Sequence, residues 1–293
     1  MSDHRTRFAA AAALAAICLG ALVSACGSNG DSNETPSVPA QSAGSAVKKS
    51  RFTRAIGSNK WFPLKAGYQS VRLGRLNRGH RELTHRRVFT VTDVFKTING
   101  VRSVAVLDQD IDAGQIAEQA LDFFAEDKRG NVWYLGSYTE AYEGGQFVNA
   151  ADAWLAGING AEAGIMMKAN PRTGTPAYIQ AKVPGDEPDV AQVSKTGVRN
   201  CVPFKCYRNV LVIQEGGPSG EAKYYAPGVG GIRTQPLYKG GEQEIEELIN
   251  LTQLSPKALA ELSAEVLKLD KHARETAKDV FGGSKPAKRA PRA

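Results

Sequence analysis

Cysteine, histidine and closely spaced acids are the residues of this 293-residue chain that could do chemistry. Cys201 and Cys206 enclose Val-Pro-Phe-Lys. Two thiols this close either cross-link or share a metal, but zinc would need two further ligands and no suitable His/Cys pair is near in sequence. A local disulfide is therefore expected, worth roughly 2 kcal/mol of chain entropy. Asp108, Asp110 and Asp112 in DQDIDAG offer the hard oxygens of a calcium loop. The sixth position is Ala113 rather than Gly and the twelfth is Gln119 rather than Glu, so strand-end acids before a turn at Ala113-Gly114 explain them as well. His80 and His85 lie among Arg75, Arg78, Arg81, Arg86 and Arg87, a field that repels a cation, and His272 has no ligand partner in sequence. Ser219 sits in GGPSGE without the frame of a nucleophile elbow. Glu126, Asp127 and Glu140 flank one hairpin and could converge as hydrolytic acids do, although solvated hairpin ends are the plainer reading. No catalytic residue, metal or cofactor is assigned, and an enzyme is the less expected outcome.

The other two cysteines, Cys18 and Cys26, belong to the first zone of the chain, and Cys18 is expected to be lost with it. His4, Arg5 and Arg7 precede an apolar stretch from Phe8 to Val23, which ends in Ser24-Ala25-Cys26. A basic start, a short apolar run and small residues make a secretory signal peptide, and the run is shorter than the roughly 20 residues needed to span a bilayer. Val23-Ser24-Ala25-Cys26 resembles the lipobox of bacterial lipoproteins, which implies cleavage after residue 25 and acylation, such as palmitate, at Cys26. Loss of Arg5, Arg7 and Asp3 with that segment takes the net charge from +7 to +6. The expected location is the extracytoplasmic face of the bacterial cell membrane, where only Cys201 and Cys206 remain to pair. Residues 26–58 are rich in Gly, Ser, Asn, Pro and Ala and read as a flexible tether with a reach of roughly 30 Å.

Behind the tether, residues 59–253 show short alternating or β-branched runs divided by turn residues. VFTVTDVFKTINGVRSVAVLDQD is a hairpin, because Asn99-Gly100 suits the positive φ angles of a type I′ turn. AEQALDFFAED and NVWYLGSYTEAY form a second, with Gly130 at a bulge position. AYIQAKV, RNVLVIQE, AKYYAP, GIRTQPLY and EIEELINL continue the pattern, while FVNAADAWLAGINGAEAGIMMKANPRTGTPA reads as an excursion out of the sheet. The fold class expected is mainly β: an antiparallel meander forming a barrel or half-barrel, with one long C-terminal amphipathic α-helix over residues 254–283. Ser255 is its N-cap, Pro256 its first residue and Gly282-Gly283 its end. Leu259, Leu262, Val266, Leu269, Ala273 and Val280 make its apolar stripe, with Asp270 on the charged side. Residues 284–293 read as a basic disordered tail.

Charge is distributed unevenly. From Lys48 to Arg87 twelve Lys or Arg stand against Glu82, whereas from Asp93 to Asn170 twelve acids stand against five bases. Arg72, Arg75, Arg78, Arg81, Arg86 and Arg87 could meet an anionic envelope surface, or mate with the acidic part of their own sheet. Nucleic acid is disfavoured by the compartment. The order WFPLKAG, GNVWYLG, AWLAGINGAEAGIMMKANP, VPFKCYRNVLVIQE and KYYAPGVGGI resembles a group of bacterial secreted proteins and lipoproteins to which no activity is assigned. The resemblance implies an antiparallel β-rich envelope protein and carries over no catalytic residue. Ser70, Arg72, Phe204 and Lys205 depart from its pattern. The expected role is a membrane-tethered, non-catalytic binding or structural domain; the alternatives are an apolar-ligand carrier with a half-barrel cavity and a hydrolase using acidic residues.

Overall fold

The computed structural model describes residues 47–54, 56–78, 81–216, 220–238 and 243–291. The signal peptide, Cys26, the tether up to residue 46, His80 and Ser219 lie outside the described residues.

The strands are β1 (Tyr68–Arg78), β2 (Arg81–Ile98), β3 (Val101–Asp112), β4 (Gln115–Glu126), β5 (Val132–Glu143), β6 (Gln146–Asn149), β7 (Trp154–Leu155), β8 (Glu162–Met167), β9 (Tyr178–Lys182), β10 (Asp189–Cys201), β11 (Cys206–Glu215), β12 (Glu221–Ala226), β13 (Gly230–Pro236), β14 (Gln243–Gln253) and β15 (Lys288–Arg289). Among the described residues, twelve of them form a closed antiparallel barrel. The ring runs β1-β14-β13-β12-β11-β10-β9-β8-β5-β4-β3-β2 and closes by pairing β2 with β1. Closure leaves no free edge among these strands. β6 and β7 pair with β5, and β15 pairs with β2, outside this ring.

Turn chemistry sets much of the register. Asn99 and Gly100 have φ of 46° and 76° between β2 and β3, and Ala113 and Gly114 have 49° and 85° between β3 and β4. The stretch expected to leave the sheet instead supplies β8, which joins β5 to β9. Its Gly164 explains the misreading: an added Cβ would strike the backbone at Ile179 and Gln180, so the strand needs a residue of low β-propensity there.

Both faces of β2–β5 are buried. Outside, Val94, Leu107, Leu121 and Phe123 pack with Val266, Ala273 and Phe281 of two helices, α1 (Pro256–Thr276) and α2 (Lys278–Phe281). Ser255 caps α1 by accepting from Ala258 N, with Pro256 at the first turn. The continuous helix expected to residue 281 breaks at Ala277. Asp270, expected on the solvated side, is buried, and its Oδ1 accepts from the equally buried Lys96 at 2.7 Å. The basic tail is also tied down. Lys288 and Arg289 pair with Phe95 and Val94, Arg289 Nε lies 2.7 Å from Asp93 Oδ2, and Ala287 N donates to Asp270 Oδ2.

Inside, Val91, Val104, Val106, Phe124, Leu211 and Ile213 meet Trp61, Phe62 and Leu64 of the segment preceding β1. Phe62 lies edge-on to Phe89 and Phe124, with centroids 5.7 and 5.1 Å away. Asn59 fixes this plug by accepting from Trp61 N and Phe62 N and donating to Gly130 O. The expected tether therefore ends earlier than residue 58: Phe52 bridges to Asp127, and Glu126 accepts from Gly57 N and Ser58 N.

Candidate functional site in the barrel mouth

Strand alternation turns several short polar patterns towards the barrel interior at the end opposite the plug. On β2 these are His85 and Arg87; on β3, Asp108, Asp110 and Asp112; on β14, Glu244 and Glu246. The register places His85 opposite Asp112 and Arg87 opposite Asp110. Gly74 of β1 lies between β2 and β14, paired with both His85 and Glu246. An added Cβ at 74 would collide with the Ile245 carbonyl. With no side chain there, His85 reaches across β1 to the acids of β14.

His85 is 3% exposed. Its Nδ1 lies 2.7 Å from Asp112 Oδ1, while Nε2 faces Glu244 Oε1 at 3.5 Å, Asp110 Oδ1 at 3.8 Å and Glu246 Oε2 at 4.0 Å. None of those four converging atoms has a hydrogen-bond partner. Arg87 makes its close contacts elsewhere, donating to both oxygens of Asp108. Glu246 uses its other oxygen, Oε1, to accept from Thr234 Oγ1 at 3.0 Å and to face Arg72 Nη1 at 3.2 Å.

The interior holds more carboxylates than cations can neutralise. Further round the ring, Glu215 and Glu221 share Lys223 at 2.7 and 3.7 Å, and Asp122 accepts from Tyr134. Burial first, then the charge of Asp108, raises Asp122 to about 6. Burial likewise raises Glu221 to about 8, despite Lys223. Asp110 also rises through burial, opposed by Arg87. Burial would lower His85, but the carboxylates of Asp112 and Glu244 outweigh it and lift the imidazole to about 11. Glu244 is held near 2, because His85 and Arg87 overcome its own burial. In the mouth, burial and neighbouring carboxylates favour the protonated forms of several acids and of His85.

The structure separates the other residues singled out in the sequence. Cys201 and Cys206 form a disulfide joining β10 to β11. Glu126 binds the plug segment, whereas Asp127 accepts from Arg129 N, Asn131 and Trp133 within the β4–β5 turn. Glu140 lies eight residues along β5 from Val132, the partner of Glu126, or roughly 26 Å at the rise of a strand. It accepts from Tyr138 and Tyr142 and meets His272 Nδ1 at 2.5 Å, pinning α1 to the sheet. The three acids share no cleft. A groove of about 410 Å3 beside His272 is lined by Gln119, Tyr142, Phe147 and Leu262. Of the basic residues, Arg72 and Arg87 face inward to carboxylates, while Arg75, Arg81 and Arg86 are exposed.

Flanking arginines hide His85 in the sequence, yet Arg86 and Arg81 are exposed while His85 is buried. The usable signal was the alternation itself: H-x-R, D-x-D-x-D and E-x-E each put their polar residues on one face of a strand.

No family model matches the chain, and no curated protein matches it. Two solved structures are similar to it, each aligned over 66% of this chain and 99% of its own. One is a candidate exported protein with a YmcC-like fold from Bacteroides fragilis NCTC 9343, at 14% identity and a TM-score of 0.38. The other is a candidate lipoprotein from Parabacteroides distasonis ATCC 8503, at 15% identity and a TM-score of 0.30. At such TM-scores the likeness carries no argument about function.

Proposed function

We infer that the chain is a lipid-anchored, extracytoplasmic envelope protein whose barrel is a non-catalytic binding or structural domain. The anchor rests on the zones of the first 26 residues, and the disulfide suits an oxidising compartment. The observation that carries the non-catalytic reading is how the barrel is filled. Trp61, Phe62 and Leu64 occupy one end and paired charges the other. An apolar cargo would have to displace the plug or lie against buried ions, which costs more than it gains, so a carrier is disfavoured. Mass spectrometry of the native protein should find an N-terminus at acylated Cys26, and Cys26→Ala should move the protein from the membrane to the soluble fraction. An intact Met1, or membrane retention of the variant, would refute the anchor.

A further inference from the structure

The geometry points to a binding site for a divalent first-row metal ion of the zinc class, held by His85 Nε2, Asp110 Oδ1, Glu244 Oε1 and Glu246 Oε2 in the barrel mouth. This goes beyond the anchored-domain reading and does not depend on it.

Four observations converge. First, the donor atoms of His85, Glu244 and Glu246 all lie within 4.8 Å of one another. Zinc bonds of about 2.0–2.2 Å place tetrahedral donors about 3.3–3.6 Å apart. The 3.5 and 4.0 Å from Nε2 to Glu244 and Glu246 need a few tenths of an ångström of contraction around an ion, whereas Asp110 Oδ1, 3.8 Å from Nε2 but outside that group, has to swing further in as a fourth donor. Second, His85 and Glu246 are almost wholly buried, yet the atoms they aim at this point have no hydrogen-bond partner and face one another only across 3.5–4.0 Å. Buried polar atoms ordinarily find partners. Three such atoms from two strands, with Asp110 Oδ1 beside them on a third, are accounted for together by one cation.

Third, the supports around the cage are those of a metal centre. Asp112 holds Nδ1 of His85, the carboxylate–histidine arrangement that fixes a ligating ring and leaves Nε2 for the metal. Thr234 and Arg72 hold Oε1 of Glu246 and leave Oε2 for the ion. Arg87 Nε stays 3.6 Å from Asp110 Oδ1, and Arg87 Nη1 stays 3.8 Å from Glu244 Oε1, so neither closes the cage. Fourth, side-chain exposures of 16, 12 and 14% at Asp110, Asp112 and Glu244 leave an entry path.

The donor set selects the class. One imidazole with carboxylates suits zinc, iron, cobalt or nickel; the absence of sulfur from the set disfavours copper(I). Calcium would ask for six to eight oxygens.

The test uses purified full-length protein in detergent, stripped with a chelator and titrated with Zn2+ against a chromophoric competitor. One ion per chain is expected. His85→Gln and Glu244→Gln should each weaken binding by about 100-fold or more, and Asp112→Asn by roughly 10- to 100-fold. Asp122→Asn, in the same interior but outside the cage, should bind as the wild type does. X-ray absorption at the zinc edge of the wild-type protein should show one imidazole among oxygen donors, a readout that stands if a variant fails to fold. No uptake at micromolar Zn2+, which would leave His85 as an imidazolium bridging the acids, would overturn the assignment. So would undiminished binding by folded His85→Gln, or a shell containing sulfur or a second imidazole.

Discussion

The clamp between Lys96 and Asp270 can be tested by Asp270→Leu. Lys96 has no exposed side-chain surface, and its Nζ donates to Asp270 Oδ1 at 2.7 Å and to Lys285 O at 2.8 Å. Removing the carboxylate leaves a buried ammonium with one neutral acceptor, and breaking such a pair costs about 3–5 kcal/mol. For urea slopes of about 2–3 kcal/mol per molar, the unfolding midpoint should fall by about 1–2.5 M. Lys96→Met combined with Asp270→Leu should regain most of this, because no charge is then stranded. A residual deficit of about 1–3 kcal/mol remains, since Ala287 N has lost Oδ2 as acceptor. The deficit of the single variant should also depend on pH. Burial already lowers the Lys96 pKa, with Asp270 opposing it. Without Asp270 the folded state binds this proton still less tightly than the unfolded chain, so stability must rise with pH between the lowered folded value and the unfolded one near about 10.4. Urea titrations at pH 7 and 9.5 read both effects. A single variant within 1 kcal/mol of wild type, or a deficit that does not shrink at high pH, would refute this account of how α1 and the tail are held.

Replacing Cys201 and Cys206 together by Ser should cost about 2 kcal/mol in a denaturation experiment, the chain entropy of so short a loop. Asp122→Asn should flatten part of the acid-side stability profile. The Asp122 folded pKa is raised to about 6, so its folded form holds the proton more tightly than the unfolded chain does. Stability is therefore lost as pH rises from about 4 to about 6, by on the order of 3 kcal/mol. Asn can still accept from Tyr134 but does not titrate. The variant should gain on wild type over that window, and a constant difference from pH 4 to 7 would contradict the assigned burial.

The hairpins were legible wherever the backbone demanded a particular residue. Asn99-Gly100 and Gly130 take positive φ, which few residues tolerate, so they announced β2–β3 and β4–β5. Ring closure was not legible, because pairing of β1 with both β2 and β14 joins residues far apart in sequence. β8 was hidden for a different reason: its Gly164 serves the approach of a neighbouring backbone rather than strand propensity. Helix α1 was visible from its cap and stripe, but Asp270 and Ser263 on the buried face look like solvated residues until Lys96 and Asp93 are placed beside them. Charge was the least legible property. A count along the chain shows a basic block followed by an acidic one, whereas the fold interleaves them, sending Arg72 and Arg87 inward to carboxylates and Arg75, Arg81 and Arg86 outward.

The interleaving also gives the barrel a direction. The chain enters beside the aromatic plug, where Asn59 binds Gly130 and Lys60 O accepts from Gly228 N. The acid-rich mouth lies at the other end, beside the β3–β4 turn, where Ala113 N donates to Thr84 O. Arg51 and Thr53, near the start of the described chain, bond Lys128 and Glu126 at that plugged end. A cation arriving from the surrounding medium would then meet Asp110, Asp112 and Glu244 before reaching His85. Filling the plug end with apolar side chains keeps that half dry and rigid, while the excess carboxylate at the mouth carries a destabilisation that protons or a metal ion relieve. The same barrel wall serves both ends because strand alternation is uninterrupted along β3: Val104 and Val106 face the plug side, and Asp108 and Asp110 continue the same face into the mouth.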